Sequence, residues 1–223
     1  MLRAGVLGAT GYTGIELVGL LSKHPDVEIC FAASKSSAGR DLEDVYPGAV
    51  GTMLVHPDKA PVEEVDVLFL CLPHTASALV AQRAREKGVR VVDLSADFRL
   101  RDPALYAEWY RTTHPCPELL SQAVYGLTEV ERARLPGADL VANPGCYPTS
   151  ALLALWPLAR AQAIAGQVII DAKSGVSGAG RSPKLETHFV EVADNLRPYN
   201  IGRAHRHLPE IEQELAAWSG TYR

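Results

Sequence analysis

Apolar positions along the first 145 residues follow two alternating periods. Residues 2–9 (LRAGVLGA), 27–34 (VEICFAAS), 65–73 (VDVLFLCLP), 89–95 (VRVVDLS) and 138–144 (ADLVANP) are short and mostly continuous apolar runs. Such runs suit strands covered on both faces. Between them, residues 13–24 (TGIELVGLLSKH) and 75–88 (TASALVAQRAREKG) carry apolar side chains at helical spacing, the second stopping at Gly88. Strands alternating with helices predict a parallel sheet with right-handed crossovers and helices on both faces, an α/β fold of the Rossmann type. Residues 99–136 are less periodic and rich in Pro and Tyr, which predicts loops with short helices. Further on, residues 147–161 predict a helix bent or ended near Pro157, and residues 166–175 (GQVIIDAKSG) begin a strand. Residues 207–220 predict a last helix, with Pro209 near its start and acids in its first turn. The change of domain is placed where residues 166–175 begin that strand.

Composition removes several functions. The formal charge of −4 and the lack of a basic run argue against a nucleic-acid surface. No apolar stretch is long enough to span a bilayer, and the glycine-interrupted start is unlike a signal peptide, so the chain is expected in the cytosol. The four cysteines (Cys30, Cys71, Cys116 and Cys146) have no C-x-x-C pair and are expected as free thiols, without a metal site.

Chemistry is carried by three stretches. Gly8, Gly11 and Gly14 form G-x-x-G-x-x-G between the first strand and the first helix, a dinucleotide-binding turn whose helix amides face the pyrophosphate. The second strand ends with Ser34 and Lys35, then Arg40, and no acid precedes Asp41. Hydroxyls and cations there favour a 2′-phosphate, and so NADP(H) over NAD. Cys146 follows Pro144-Gly145 at a helix start, where the peptide dipoles favour a thiolate. A nucleophilic thiol needs a proton-transfer partner, and His205 and His207 are offered, with Arg203, Arg206 and Glu210 close by in sequence. Residues 171–181 (DAKSGVSGAGR) follow the predicted strand as a glycine- and serine-rich loop able to approach a ligand with its backbone.

In this order the motifs GATGYTG (8–14), LPH (72–74), DLSADFRL (93–100), NPGCYPT (143–149), SGVSGAGR (174–181) and HRHLPEIEQE (205–214) are informative together. Over residues 1–223 the chain resembles the N-acetyl-γ-glutamyl-phosphate reductases of the semialdehyde dehydrogenase family. The resemblance implies an NADP-binding Rossmann domain, an α+β catalytic domain, and a homo-oligomer, dimer or tetramer. It implies a small-molecule acyl-phosphate substrate, reduced with NADPH through a cysteine thioester in arginine biosynthesis. Cys146 would be the nucleophile, and His205 the acid/base with His207 in reserve. The cofactor would be met by Gly8, Thr10, Gly11, Tyr12, Thr13 and Gly14, by Ser34 and Lys35, by Leu72 and Pro73, and by Ser177 and Gly178. Arg99, Arg181 and Glu210 would stand on the substrate side. Members of the family continue beyond the point where this chain stops, so the 223 residues alone are expected to be poorly active.

Two alternatives stay open. A sibling reductase could act on aspartyl phosphate, which the PGCYPT context disfavours, or on a carrier-bound aminoadipyl phosphate, which local sequence does not separate. A non-catalytic NADP-binding module is the other, opposed by Cys146 together with the histidine pair.

Overall fold

The computed structural model describes residues 1–220. Its first half is built as the apolar runs predict: β1 (Leu2–Leu7), α1 (Tyr12–Leu21), β2 (Val27–Ala33), the short α2 (Leu42–Val45), β3 (Leu54–Val55), β4 (Val67–Leu70), α3 (Ala78–Glu86) and β5 (Arg90–Asp93). Next come α4 (Pro103–Tyr110), β6 (Val124–Tyr125), α5 (Thr128–Glu131), β7 (Leu140–Ala142) and α6 (Cys146–Arg160). The last helices are α7 (Phe189–Val192) and α8 (Leu208–Ser219). The strands form one sheet in the order β3-β2-β1-β4-β5-β7-β6, every pair parallel. The strand order reverses between β1 and β4. Open parallel sheets bind their ligands at that switch point, outside the carboxyl ends of the strands.

Helices cover both faces. Ala78, Ala81 and Ala84 of α3 are fully or almost fully buried with Leu68, Leu70 and Val91, while Val18 of α1 packs with Val6, Leu42 and Leu54. A third cluster joins Leu152 and Ala159 of α6 to Ile211 and Leu215 of α8 and to Tyr125. Burying a side chain such as Leu215 stabilises by about 1.5–3 kcal/mol, so α8 is held to the rest by packing as well as by polar contacts.

One expectation is met and two are corrected. The helix expected over 147–161 is α6, which ends at Arg160 with Pro157 inside its last turn. Proline removes one backbone hydrogen bond, yet Leu152, Leu155 and Ala159 lie in the cluster with α8, and packing holds the helix across the break. Residues 166–175 form no strand. A ladder needs a neighbouring strand, none of those described lies beside this run, and Ile169 is 83% exposed. The loop region 99–136 does contain a strand, β6, whose two residues are too few to show a period. Residues 221–223, the end of the expected second domain, lie outside the described residues.

Candidate functional site

The glycine turn fits a dinucleotide. Gly8 sits at φ +82°, and a Cβ there would fall 2.2 Å from the Cys71 carbonyl oxygen, so only glycine lets the turn press against the end of β4. Gly11 is the N-cap of α1, without a side-chain cap and without an acid in the first turn. Its position is open, since a Cβ would meet only the Gly8 oxygen at 3.5 Å. The free amides of α1 thus face an unobstructed space where phosphate oxygens are favoured. Ser34, 3% exposed, shares a 2.8 Å hydrogen bond with the Thr10 hydroxyl, and Lys35 is exposed beside it. Tyr12, Thr13, Leu94, Ser177 and Gly178 line one open cleft of about 550 Å³, which brings the 171–181 loop to the glycine turn. Arg181 comes with it: its Nη1 donates to the Thr10 carbonyl at 3.1 Å, and its guanidinium lies 4.4 Å over the Tyr46 ring. Expected on the substrate side, it has its contacts on the dinucleotide side instead.

The LPH and DLSADFRL motifs make a single unit. Asp97, wholly buried, accepts hydrogen bonds from the Thr75, Ser77 and Ala78 amides at 2.7, 2.9 and 3.1 Å and from the Tyr106 hydroxyl at 3.1 Å. It caps α3 from outside, a role that Ser77 at the N-cap does not fill. The Ala96 amide donates to His74 Nδ1 at 3.1 Å, a second tie between the two loops. Leu72 and Pro73, the expected nicotinamide contacts, lie at the end of β4 within this pinned loop. Asp97 is a residue that sequence reasoning missed: an Asp in a loop carries no local sign that it caps a helix whose first residue lies 19 positions upstream.

Asp93, at the end of β5, is buried and accepts from the Ser95 amide and hydroxyl at 3.0 and 2.7 Å. Burial pushes its carboxyl up from 3.8 to about 6, against the Ser95 hydrogen bonds. The folded protein therefore holds a proton there that the unfolded chain releases. The resulting stability is complete below pH 3.8 and is lost as the pH rises to about 6, an effect of roughly 3 kcal/mol. Across pH 4–7 the urea stability of wild type relative to Asp93→Asn is expected to fall by this amount, groups that titrate elsewhere being common to both proteins; a pH-independent difference would refute it.

Cys146 is exposed at the first position of α6, which has neither a side-chain cap nor an acid in its first turn. Behind it, Glu210 of α8 accepts from the Gly145 amide at 2.9 Å and from the Tyr125 hydroxyl at 2.7 Å through the same oxygen. Arg99 grips the loop from the other side, donating from Nε to the Asn143 carbonyl at 2.8 Å and from Nη2 to the Leu94 carbonyl at 2.9 Å. Its Nη1 stands 3.7 Å from Glu210 Oε2, and both atoms are buried without a hydrogen-bond partner. Arg99 is 5% and Glu210 1% exposed, so both, expected on the substrate side, stand buried beneath the nucleophile loop. Desolvation raises the Glu210 carboxyl against the pull of Arg99.

The histidines differ in setting. The His207 ring lies against Gly145, where a Cβ would come within 2.5 Å of Nε2. Burial first, then the Arg99 charge, pushes its imidazole down to about 3, so it is neutral at pH 7. His205 accepts the His207 backbone amide at Nδ1, 3.0 Å, and meets the Tyr147 and Tyr199 rings edge-on. Gly145 is therefore glycine because an imidazole occupies the space of a side chain, its φ of −67° being ordinary. Gly145→Ala is expected to push His207 aside and lower kcat by about 100-fold, with NADPH affinity unchanged in a fluorescence titration. An unaltered kcat would show that the contact is incidental.

A doubly wound sheet with an open glycine turn and an exposed cysteine at a helix start defines a dinucleotide-binding α/β protein with a candidate thiol centre. Family models narrow the class: residues 3–138 match "Semialdehyde dehydrogenase, NAD binding domain" and residues 146–222 match "Semialdehyde dehydrogenase, dimerisation domain". The chain belongs to the semialdehyde dehydrogenase family. It is 50% identical over 223 residues to N-acetyl-gamma-glutamyl-phosphate reductase of Dehalococcoides mccartyi, covering 98% of this chain and 63% of that one. The enzyme of the same name from Moorella thermoacetica is 50% identical over 225 residues, covering 99% and 65%. The chain thus spans less than two thirds of the length of these curated relatives. Among solved structures it is similar to aspartate semialdehyde dehydrogenase II of Vibrio cholerae complexed with ASA (TM-score 0.67, 18% identity, 99% and 66% covered). It is also similar to aspartate semialdehyde dehydrogenase with NADP from Candida albicans (TM-score 0.60, 21% identity, 98% and 60% covered). Likeness at that identity supports the fold. No helix among the described residues is long and apolar enough to cross a membrane.

Proposed function

We propose that the chain forms the cofactor-binding and nucleophile-bearing part of an NADP(H)-dependent reductase of N-acetyl-γ-glutamyl phosphate, working in the cytosol as a homo-oligomer. Residues 1–145 serve the dinucleotide and residues 146–223 carry the thiol and its proton-transfer partner. The observation that carries the reading is the neutral His207 ring packed on Gly145, directly before an exposed cysteine at the open start of α6. Relatives at 50% identity bearing that enzyme's name support the substrate.

The Cys146 thiolate attacks the acyl carbon; the S–C bond forms, the C–O bond to phosphorus breaks, and phosphate leaves. A nicotinamide held against Leu72, Pro73, Ser177 and Gly178 would supply the hydride that reduces the Cys146 thioester to a hemithioacetal. Collapse breaks the C–S bond, releasing the semialdehyde and restoring the thiolate. Of the two histidines the geometry favours His207 for moving protons at the thiol and the carbonyl oxygen, with His205 holding its backbone turn. Exposed Lys35 beside Ser34, with no acid at the end of β2, supports NADP(H) over NAD.

The test runs the reaction in reverse. Phosphate-dependent reduction of NADP with N-acetylglutamate semialdehyde, faster than with the aspartate or aminoadipate semialdehydes, is expected. Reduction that ignores phosphate, or a preference for another semialdehyde, would overturn the assignment.

A further inference from the structure

We propose that Arg206, His74 and Tyr110 form an anion subsite beside the nucleophile loop, taking a phosphate or carboxylate group. It builds on the proposed function only in taking Cys146 as the reacting thiol. The three residues come from three separate segments and meet at one ring. The Arg206 guanidinium lies 5.5 Å from the Tyr110 ring centroid, and the His74 ring meets the same ring edge-on at 6.0 Å. Arg206 stands between the two histidines, and His205 packs on Tyr147, the residue after Cys146.

All three present donors. His74 Nδ1 is taken as an acceptor by the Ala96 amide, which leaves the ring proton on Nε2. Tyr110 keeps its hydroxyl proton, burial having pushed it up to about 12. Arg206 is exposed and has no carboxylate within ion-pair distance among the described residues. The carboxylates nearest the cluster are held elsewhere: Asp97 by three amides and Tyr106, and Glu210 by Gly145 and Tyr125 at Oε1, with Oε2 facing Arg99 at 3.7 Å. Burial first, then the charges of Arg99 and Arg206, lowers the proton affinity of His74, so its ring is a neutral donor and Arg206 brings the positive charge of the cluster. An oxyanion is the ligand that such a set of donors recognises.

The substrate of the proposed reaction has two anionic ends, and the test separates them without requiring turnover. Alkylation of Cys146 by iodoacetamide is followed in the 223-residue chain with rising inorganic phosphate or, separately, rising N-acetylglutamate. Saturable protection by at least one anion is expected in wild type. In Arg206→Gln the protecting concentration should rise about tenfold or more, with partial recovery in Arg206→Lys. If the phosphate curve moves, the subsite holds the phosphoryl group; if the N-acetylglutamate curve moves, it holds a carboxylate. Absence of protection in wild type, or unmoved curves in an Arg206→Gln protein of wild-type Tm, overturns the subsite. Failure of the reverse assay sinks the proposed function and leaves this readout standing.

Discussion

Cys146→Ser is expected to abolish phosphate-dependent NADP reduction, by about 1,000-fold or more, while NADPH binding stays at the wild-type level. A hydroxyl at the start of α6 is not ionised near pH 7 and is a poorer nucleophile and leaving group than a thiolate. The residue also lies outside the glycine turn, whose contacts at Gly8, Thr10 and Ser34 do not depend on it. Acyl phosphate should add one acyl group to the wild-type chain, read by intact mass, and none to the variant. A serine variant keeping more than about a tenth of the rate would leave the thiol without the role assigned to it.

Glu210→Ala is expected to cost about 3–5 kcal/mol of stability, because it strands the buried Arg99 charge and removes the partner of two buried donors. In a chain of this size that is a fall in Tm on the order of 10 °C. Glu210→Gln keeps an acceptor for Gly145 and Tyr125 and should lose less stability, yet still lower kcat, since the Gly145–Cys146 turn is held against an altered charge. Equal Tm values for alanine and wild type would refute the buried support.

Much of this fold is written in local pattern. The runs that became β1, β2, β4, β5 and β7 are continuous apolar segments because both sheet faces are covered, and continuous runs are visible without any partner. The dinucleotide turn and Cys146 at a helix start were equally plain, since glycine spacing and helix onset are properties of neighbouring residues. Expectations failed where a partner decides the outcome. The apolar run 166–175 is a strand only beside another strand.

The candidate site divides along the same line. By itself the sequence determined which side chains are candidates for chemistry: a thiol, two histidines, and a glycine turn with hydroxyl and cation at the end of β2. Only the tertiary structure decided what each of them touches. It made Arg99 and Glu210 buried supports, took Arg181 to Thr10 across 171 residues, and laid His207 on Gly145. It also joined Asp97 to the amides that begin α3. The physical reason is reach. A hydrogen bond between residues 65 or more apart depends on how α8 and the sheet pack, and no local spacing encodes that arrangement.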